Sequence, residues 1–213
     1  MAIILGVFDL LAYAVPGSLY LAVFGYVSQR AGWIDVPGLV GLPSLLLLIG
    51  FAIAAFLVGQ AAHPLGMLVD RVNPFGPMDL TGAAKEEFLR RNSTAASRRF
   101  LRMDPFTLLA ALEADDSEAA AEVSRLRATG QMLGRSVPAL VLAAVTAVVE
   151  TFTGGLPLFS GLTGVVLALV AAGCLYQSAT FRRWAVIRTY ELSYWNDDED
   201  DGSSDERQAA TEE

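Results

Sequence analysis

The chain has 213 residues, 54% of them apolar, and a formal net charge of −8. So apolar a composition is uncommon in a soluble domain of this length and points to a membrane protein. From Asp197 onward there are nine acids and one base, whereas the first 196 residues hold 14 of each, so the acidity belongs to a tail and not to the body. A lone cysteine, Cys174, excludes an intramolecular disulfide and a thiolate metal cluster.

The first apolar segment covers 8–27, with Asp9 near one end and Pro16-Gly17 near its middle. A proline-glycine step inside a span can expose carbonyls to an ion, but more often it makes a kink filled by packing. No basic run precedes the segment, so a cleaved signal peptide is not expected. The second segment, 39–62, gives out at Gln60 and at His63, the only histidine. Pro64 disfavours helical geometry at His63, so the helix is expected to end there. Gln60 and His63 then read as polar groups satisfying free carbonyls at a helix end. The functional alternative is a polar channel mouth.

The stretch 63–136 opens with NPFGP at 73–77, which stops any helix leaving the second span. KEEFLRRN and STAASRRFLRM read as two short helices. They carry Arg90, Arg91, Arg98, Arg99 and Arg102, a basic cluster that would attract anionic lipid headgroups at about 1 kcal/mol each. No aromatic interleaving accompanies it, so nucleic acid is not expected as a partner. Asp104-Pro105 reads as an N-cap followed by proline in the first turn, opening a helix over 105–114. Asp115, Asp116 and Ser117 open the next, where acids suit the positive end of the dipole. Asp115, Asp116, Glu118 and Glu122 are therefore taken as helix-start acids and not as a metal site.

That next helix runs without a turn signal from 118 to 152, with Pro138 inside it. Val123, Leu126, Gly130, Leu133 and Val137 repeat at spacings of three and four and form an apolar seam. Its partner is either the 105–114 helix, through Phe106, Leu109 and Leu112, or a second copy of the chain.

The third and fourth apolar segments cover 137–152 and 156–177, with TGG between them. Roughly 20 apolar residues cross a ~30 Å hydrocarbon core as helix; the third segment is short and borrows a turn. So tight a turn predicts an antiparallel hairpin, helped by small residues at Ala139, Ala143 and Ala147 facing Gly164, Ala168 and Ala172. Glu150 is placed to pair with Arg30, and Gln177 closes the fourth span. From Asp197 the chain reads as a disordered acidic tail.

Ten bases lie between spans two and three and four follow span four, against one in the loop after span one and none after span three. Positive residues stay in the cytoplasm. The expected fold is therefore an all-α integral membrane protein with four transmembrane helices, both termini inside, a small helical cytoplasmic hairpin domain and an acidic tail. Its expected divisions are 1–62, 63–136, 137–180 and 181–213. Fourteen arginines to one lysine suggest a GC-rich bacterial genome, hence a multi-pass protein of a bacterial inner membrane.

For chemistry the sequence offers little. Glu86-Glu87-x-x-x-Arg91 resembles the EExxxR signature of the membrane-embedded CAAX-protease-like family over six residues. That family also needs two histidines from membrane helices, and this chain has one, so the resemblance is set aside. One histidine and one distant cysteine cannot supply the usual zinc set, and no Ser-His-Asp set, phosphate loop or dinucleotide fingerprint appears. The expectation is a non-enzymatic protein without cofactor. It would act as a scaffold, regulator or self-assembling membrane effector, as a homo-oligomer or with a partner protein. The runner-up is a channel or transporter subunit with its mouth near Gln60 and His63.

Overall fold

The computed structural model describes residues 2–33, 43–72, 79–154 and 156–209. Side chains before Leu10, after Asn196 and at Asp70, Val72 and Arg99 lie outside that description. The elements in chain order are α1 (Ala2–Arg30), α2 (Ser44–Ala61), α3 (His63–Val72) and α4 (Leu80–Arg91). Two 3-10 turns follow (Ser93–Ser97, Arg99–Arg102), then α5 (Pro105–Asp115), α6 (Ser117–Thr153) and α7 (Pro157–Ala209). Among the described residues there is no strand. Four of these helices, α1, α2, α6 and α7, are long and apolar enough to cross a membrane. Their exposed Leu46, Phe51, Val145, Leu158 and Leu169 require an apolar surrounding, as lipid provides. The turn expected at 73–77 lies outside the described residues.

Contacts divide the chain into two units: residues 1–76 with 128–180, and residues 77–127 with 181–213. The boundaries differ from those the sequence suggested at 62/63 and 136/137, because the helices run through them. α2 ends at Ala61 and α3 begins at His63 with only Ala62, still in the right-handed helical region, between them. His63 therefore starts a helix instead of ending one. Pro64 falls in the first turn, where its missing N–H costs nothing. α6 passes through Pro138 as one helix of 37 residues. α7 likewise continues from the fourth span to Ala209, through the stretch expected as a disordered tail. Extending an existing helix needs no new nucleus, and no proline interrupts this one.

Unit 1 packs through small residues. A Cβ on Gly17 would collide with the carbonyl of Ala55 and lie 2.7 Å from the backbone nitrogen of Gly59. A Cβ on Gly59 would collide with the Tyr13 carbonyl. α1 and α2 thus cross backbone to backbone, with Ala12, Pro16 and Ala55 buried beside the crossing. The Pro16-Gly17 step is filled by this packing. α6 and α7 approach at Gly164, where an added Cβ would sit 3.3 Å from Val148 Cγ2 and 3.6 Å from Ala147 Cβ. Ala139 and Ala171 are buried, whereas Ala168 and Ala172 of the expected stripe are exposed. The buried Ser178 hydroxyl donates to the Gly130 carbonyl at 2.7 Å, a side-chain tie between α7 and α6.

Unit 2 is built from capped helices. Asp79 accepts from the Gly82 N–H at 2.8 Å and Asp104 from the Phe106 N–H at 3.0 Å. Asp116 accepts from Glu118 and Ala119 at 3.0 and 3.1 Å. Each satisfies N–H groups that the first turn leaves free. The core gathers Phe88, Ala95, Phe100, Leu101, Leu108 and Tyr190, with Leu89, Val186 and Tyr194 against it. Phe88 lies 6.2 Å from Phe100, 5.8 Å from Tyr190 and 6.3 Å from Tyr194, ring centre to ring centre. α5 buries Leu108 and Leu112; Phe106, expected inside, is exposed and carries the Arg127 guanidinium 4.0 Å above its ring. The segment after 180, through Val186, Tyr190 and Tyr194, is thus part of this core.

Candidate functional site

Three polar places stand out, two in unit 1 and one in unit 2. At the C-terminal end of α1, Arg30 Nε donates to Glu150 Oε1 of α6 at 3.0 Å. The guanidinium is 59% exposed and the carboxylate only 16%. Each lies within a turn or so of the end of a helix long and apolar enough to cross a membrane, and an unpaired charge beside lipid would be costly there. Tyr26 and Glu150 also line two adjoining cavities between α1, α6 and α7.

In the N-terminal half of α1, Tyr13 is the centre of a cluster. The Arg135 guanidinium lies 4.2 Å above its ring, and the His63 ring stands 6.4 Å away, tilted by 57°. Arg135 Nη2 donates to Gln131 Oε1 at 3.3 Å. Arg135 Nη1 and His63 Nδ1 are buried without a hydrogen-bond partner among the described residues. A cation stacked on a desolvated ring is worth up to about 2 kcal/mol. Arg135 also fills the space opposite Gly66, 3.0 Å from where a Cβ would stand. The sequence pointed to His63 but not to Tyr13 or Arg135. The available signal was that Arg135 is the last base before the third span, as His63 is the first polar residue after the second.

In unit 2 the Glu87 carboxylate, 13% exposed, takes Arg90 at 2.7 Å and Arg91 at 2.8 Å, with Arg183 at 3.7 Å. Arg91 also stacks on Trp184 and approaches Glu191 at 3.9 Å. Arg188 joins Glu191 at 3.2 Å and Glu122 at 3.5 Å. Glu87 is thus held in an ion-pair network with Arg90, Arg91 and Arg183.

The other sequence-derived positions are distributed as follows. Gln60 and Gln177 are exposed on their helices, and His63 is half-buried. Asp9 lies in α1, its side chain outside the description. Of the basic cluster, Arg90 and Arg91 are engaged by Glu87, Arg98 is half-buried and Arg102 exposed. Of the seam, Val123 and Val137 are buried at 1% and 5%, while Leu126 and Leu133 are half-buried. The seam is therefore covered largely within the chain, and little of it faces outward. Asp116 is spent on its cap, and the described residues include no group of three metal-ligating side chains.

No protein-family model, curated protein or solved structure matches the chain.

The hydrogen bonds from Arg90 and then Arg91 hold the Glu87 carboxyl below its ordinary value of 4.5. A depressed carboxylate stabilises the fold above the unfolded value and loses that contribution as pH falls through the folded value. Glu87→Gln should lower the thermal midpoint of the full chain at pH 7, and the gap to wild type should close below about pH 4. A gap of equal size at pH 3 and pH 7 would show that the ion pairs contribute nothing.

Proposed function

We propose that the chain is a non-enzymatic, multi-pass protein of a bacterial inner membrane. It crosses four times with both termini inside, and acts as a scaffold or regulator through the helical unit formed by 77–127 and 181–213. The observation that carries this reading is the contact of Phe88 with Tyr190 and Tyr194. These residues flank the α6–α7 hairpin in sequence, and their shared core supports a hairpin that leaves one membrane face and returns to it. The basic residues of 77–127 and 182–188 then lie on one side, as the positive-inside rule asks. The acidic stretch after 196 lies on the same side and supplies a charged surface to a partner.

The burial of Val123 and Val137 directs partner contact to the outer surface of unit 2 and away from the seam. There Trp195 (64% exposed) and Arg90 (side chain 76% exposed) stand out. Aromatic and arginine side chains are enriched at protein interfaces.

A channel or transporter subunit is the competing reading, favoured by the buried His63 Nδ1 and Arg135 Nη1 around Tyr13, which have no hydrogen-bond partner among the described residues. Flux of ions and of small solutes into liposomes holding the purified full chain separates the two. The scaffold reading predicts flux no greater than through empty liposomes. Flux that disappears in His63→Ala would overturn it and establish a pore near His63.

A further inference from the structure

The outer wall of unit 1 holds a surface cleft of about 350 Å³ between α1, α6 and α7, walled by Ala22, Val23, Ala143, Phe159 and Leu167. It ends at Tyr26 and Glu150. A second cavity of about 650 Å³ shares Tyr26, Glu150 and Phe159 with the cleft and adds Gln29 and Arg30. An apolar trough thus adjoins an open cavity of mixed character with a cation and an anion in its wall. The volume of the trough lies within the roughly 300–1,000 Å³ of small-molecule sites.

We propose that these adjoining cavities hold one zwitterionic phospholipid. An acyl chain lies in the trough, the phosphate on Arg30 and the headgroup ammonium towards Glu150. Three observations support it. Arg30 uses Nε for Glu150 and is 59% exposed, which among the described residues leaves N–H groups in a fork that suits a phosphate. The Arg30–Glu150 pair sums to zero charge, which matches a neutral headgroup; an anionic one would set a second negative group beside Glu150. Trp33, Phe152 and Leu158 are 73%, 84% and 89% exposed at this end of the helices, and such an apolar and aromatic rim marks the membrane interface where headgroups lie. The trough exists because Ala22 and Ala143 are small. The proposal rests on the membrane-spanning reading but not on the scaffold role.

The test is native mass spectrometry of the full chain in mild detergent, with phosphatidylethanolamine or phosphatidylglycerol added. The wild type should retain one phosphatidylethanolamine per chain in preference to phosphatidylglycerol. Ala22→Trp, which fills the trough at an exposed position, should reduce retention by excluding the acyl chain, and Arg30→Ala should reduce it about tenfold, as loss of a charge-assisted bond implies. Glu150→Gln should reverse the preference towards phosphatidylglycerol, an outcome that loosened helix packing alone would not produce. Equal retention of both lipids by the wild type, or unchanged retention in Ala22→Trp and Arg30→Ala, would overturn the proposal.

Discussion

Gly17→Leu and Gly59→Leu will each drive α1 from α2 and lower the thermal midpoint of the detergent-solubilised protein by about 10 °C. The added Cβ of either meets backbone, not a side chain that can rotate away: the Ala55 carbonyl for Gly17, the Tyr13 carbonyl for Gly59. Backbone can yield only by moving the helices apart, which opens the contact around Ala12, Pro16 and Ala55. Overpacking a close contact costs about 3 kcal/mol, and a chain of this length loses roughly 2–4 °C per kcal/mol. Gly25, Gly50 and Gly173 serve as controls, because an added Cβ there meets nothing within 4 Å. Alanine at those three should leave the midpoint unchanged or raise it slightly, since alanine is the better helix former. A Gly17→Leu protein as stable as Gly25→Ala would show that the α1–α2 crossing is not made as described.

Phe88→Ala and Tyr190→Ala should each destabilise unit 2 by about 3–5 kcal/mol, the usual cost of truncating a buried aromatic. Phe88 is fully buried and touches three other rings, and Tyr190 is 1% exposed. The loss combines apolar burial with edge and tilted ring contacts, themselves worth about 0.5–1.5 kcal/mol per pair. Trypsin provides the readout, because unit 2 carries Arg90, Arg91, Arg98 and Arg102. Cleavage there should accelerate sharply in both variants, while the α1–α2 pair stays protected. Tyr190→Phe keeps the ring and should behave nearly as wild type. If Tyr190→Ala were cut no faster than wild type, residues 181–196 would not belong to the core of this unit.

What the sequence made legible follows from the range of the forces involved. The four helices long and apolar enough to cross a membrane are written in local apolar runs. So are the caps at Asp104 and Asp116, each set by one side chain and the next three N–H groups. The Arg30–Glu150 pair was legible because few other charges lie near those two helix ends. Other features depend on which surfaces meet. Gly17 and Gly59 look like ordinary small residues until α1 and α2 are laid together. Arg135 reads as a topogenic base until Tyr13 is found beneath it. The segment after 180 was obscured by Arg182, Arg183 and Arg188, which read only as bases that set the orientation. Val186, Tyr190 and Tyr194 recur at four-residue spacing on the same stretch, and that apolar face was the signal of a core helix. At His63, the preference of a pre-proline residue against helix was outweighed by the tolerance of a first turn for proline.

The central claim is that residues 77–127 and 181–196 share one side of the membrane and the α1–α2 and α6–α7 connections the other. Single cysteines placed in a Cys174→Ser background at Ala96, Trp195, Trp33 and Leu158 test it, all four positions being exposed. An impermeant maleimide applied to intact cells should label positions 33 and 158 and leave 96 and 195 unlabelled until the membrane is opened. Labelling of 96 and 195 on opposite sides, or of 96 and 158 on the same side, would contradict the account.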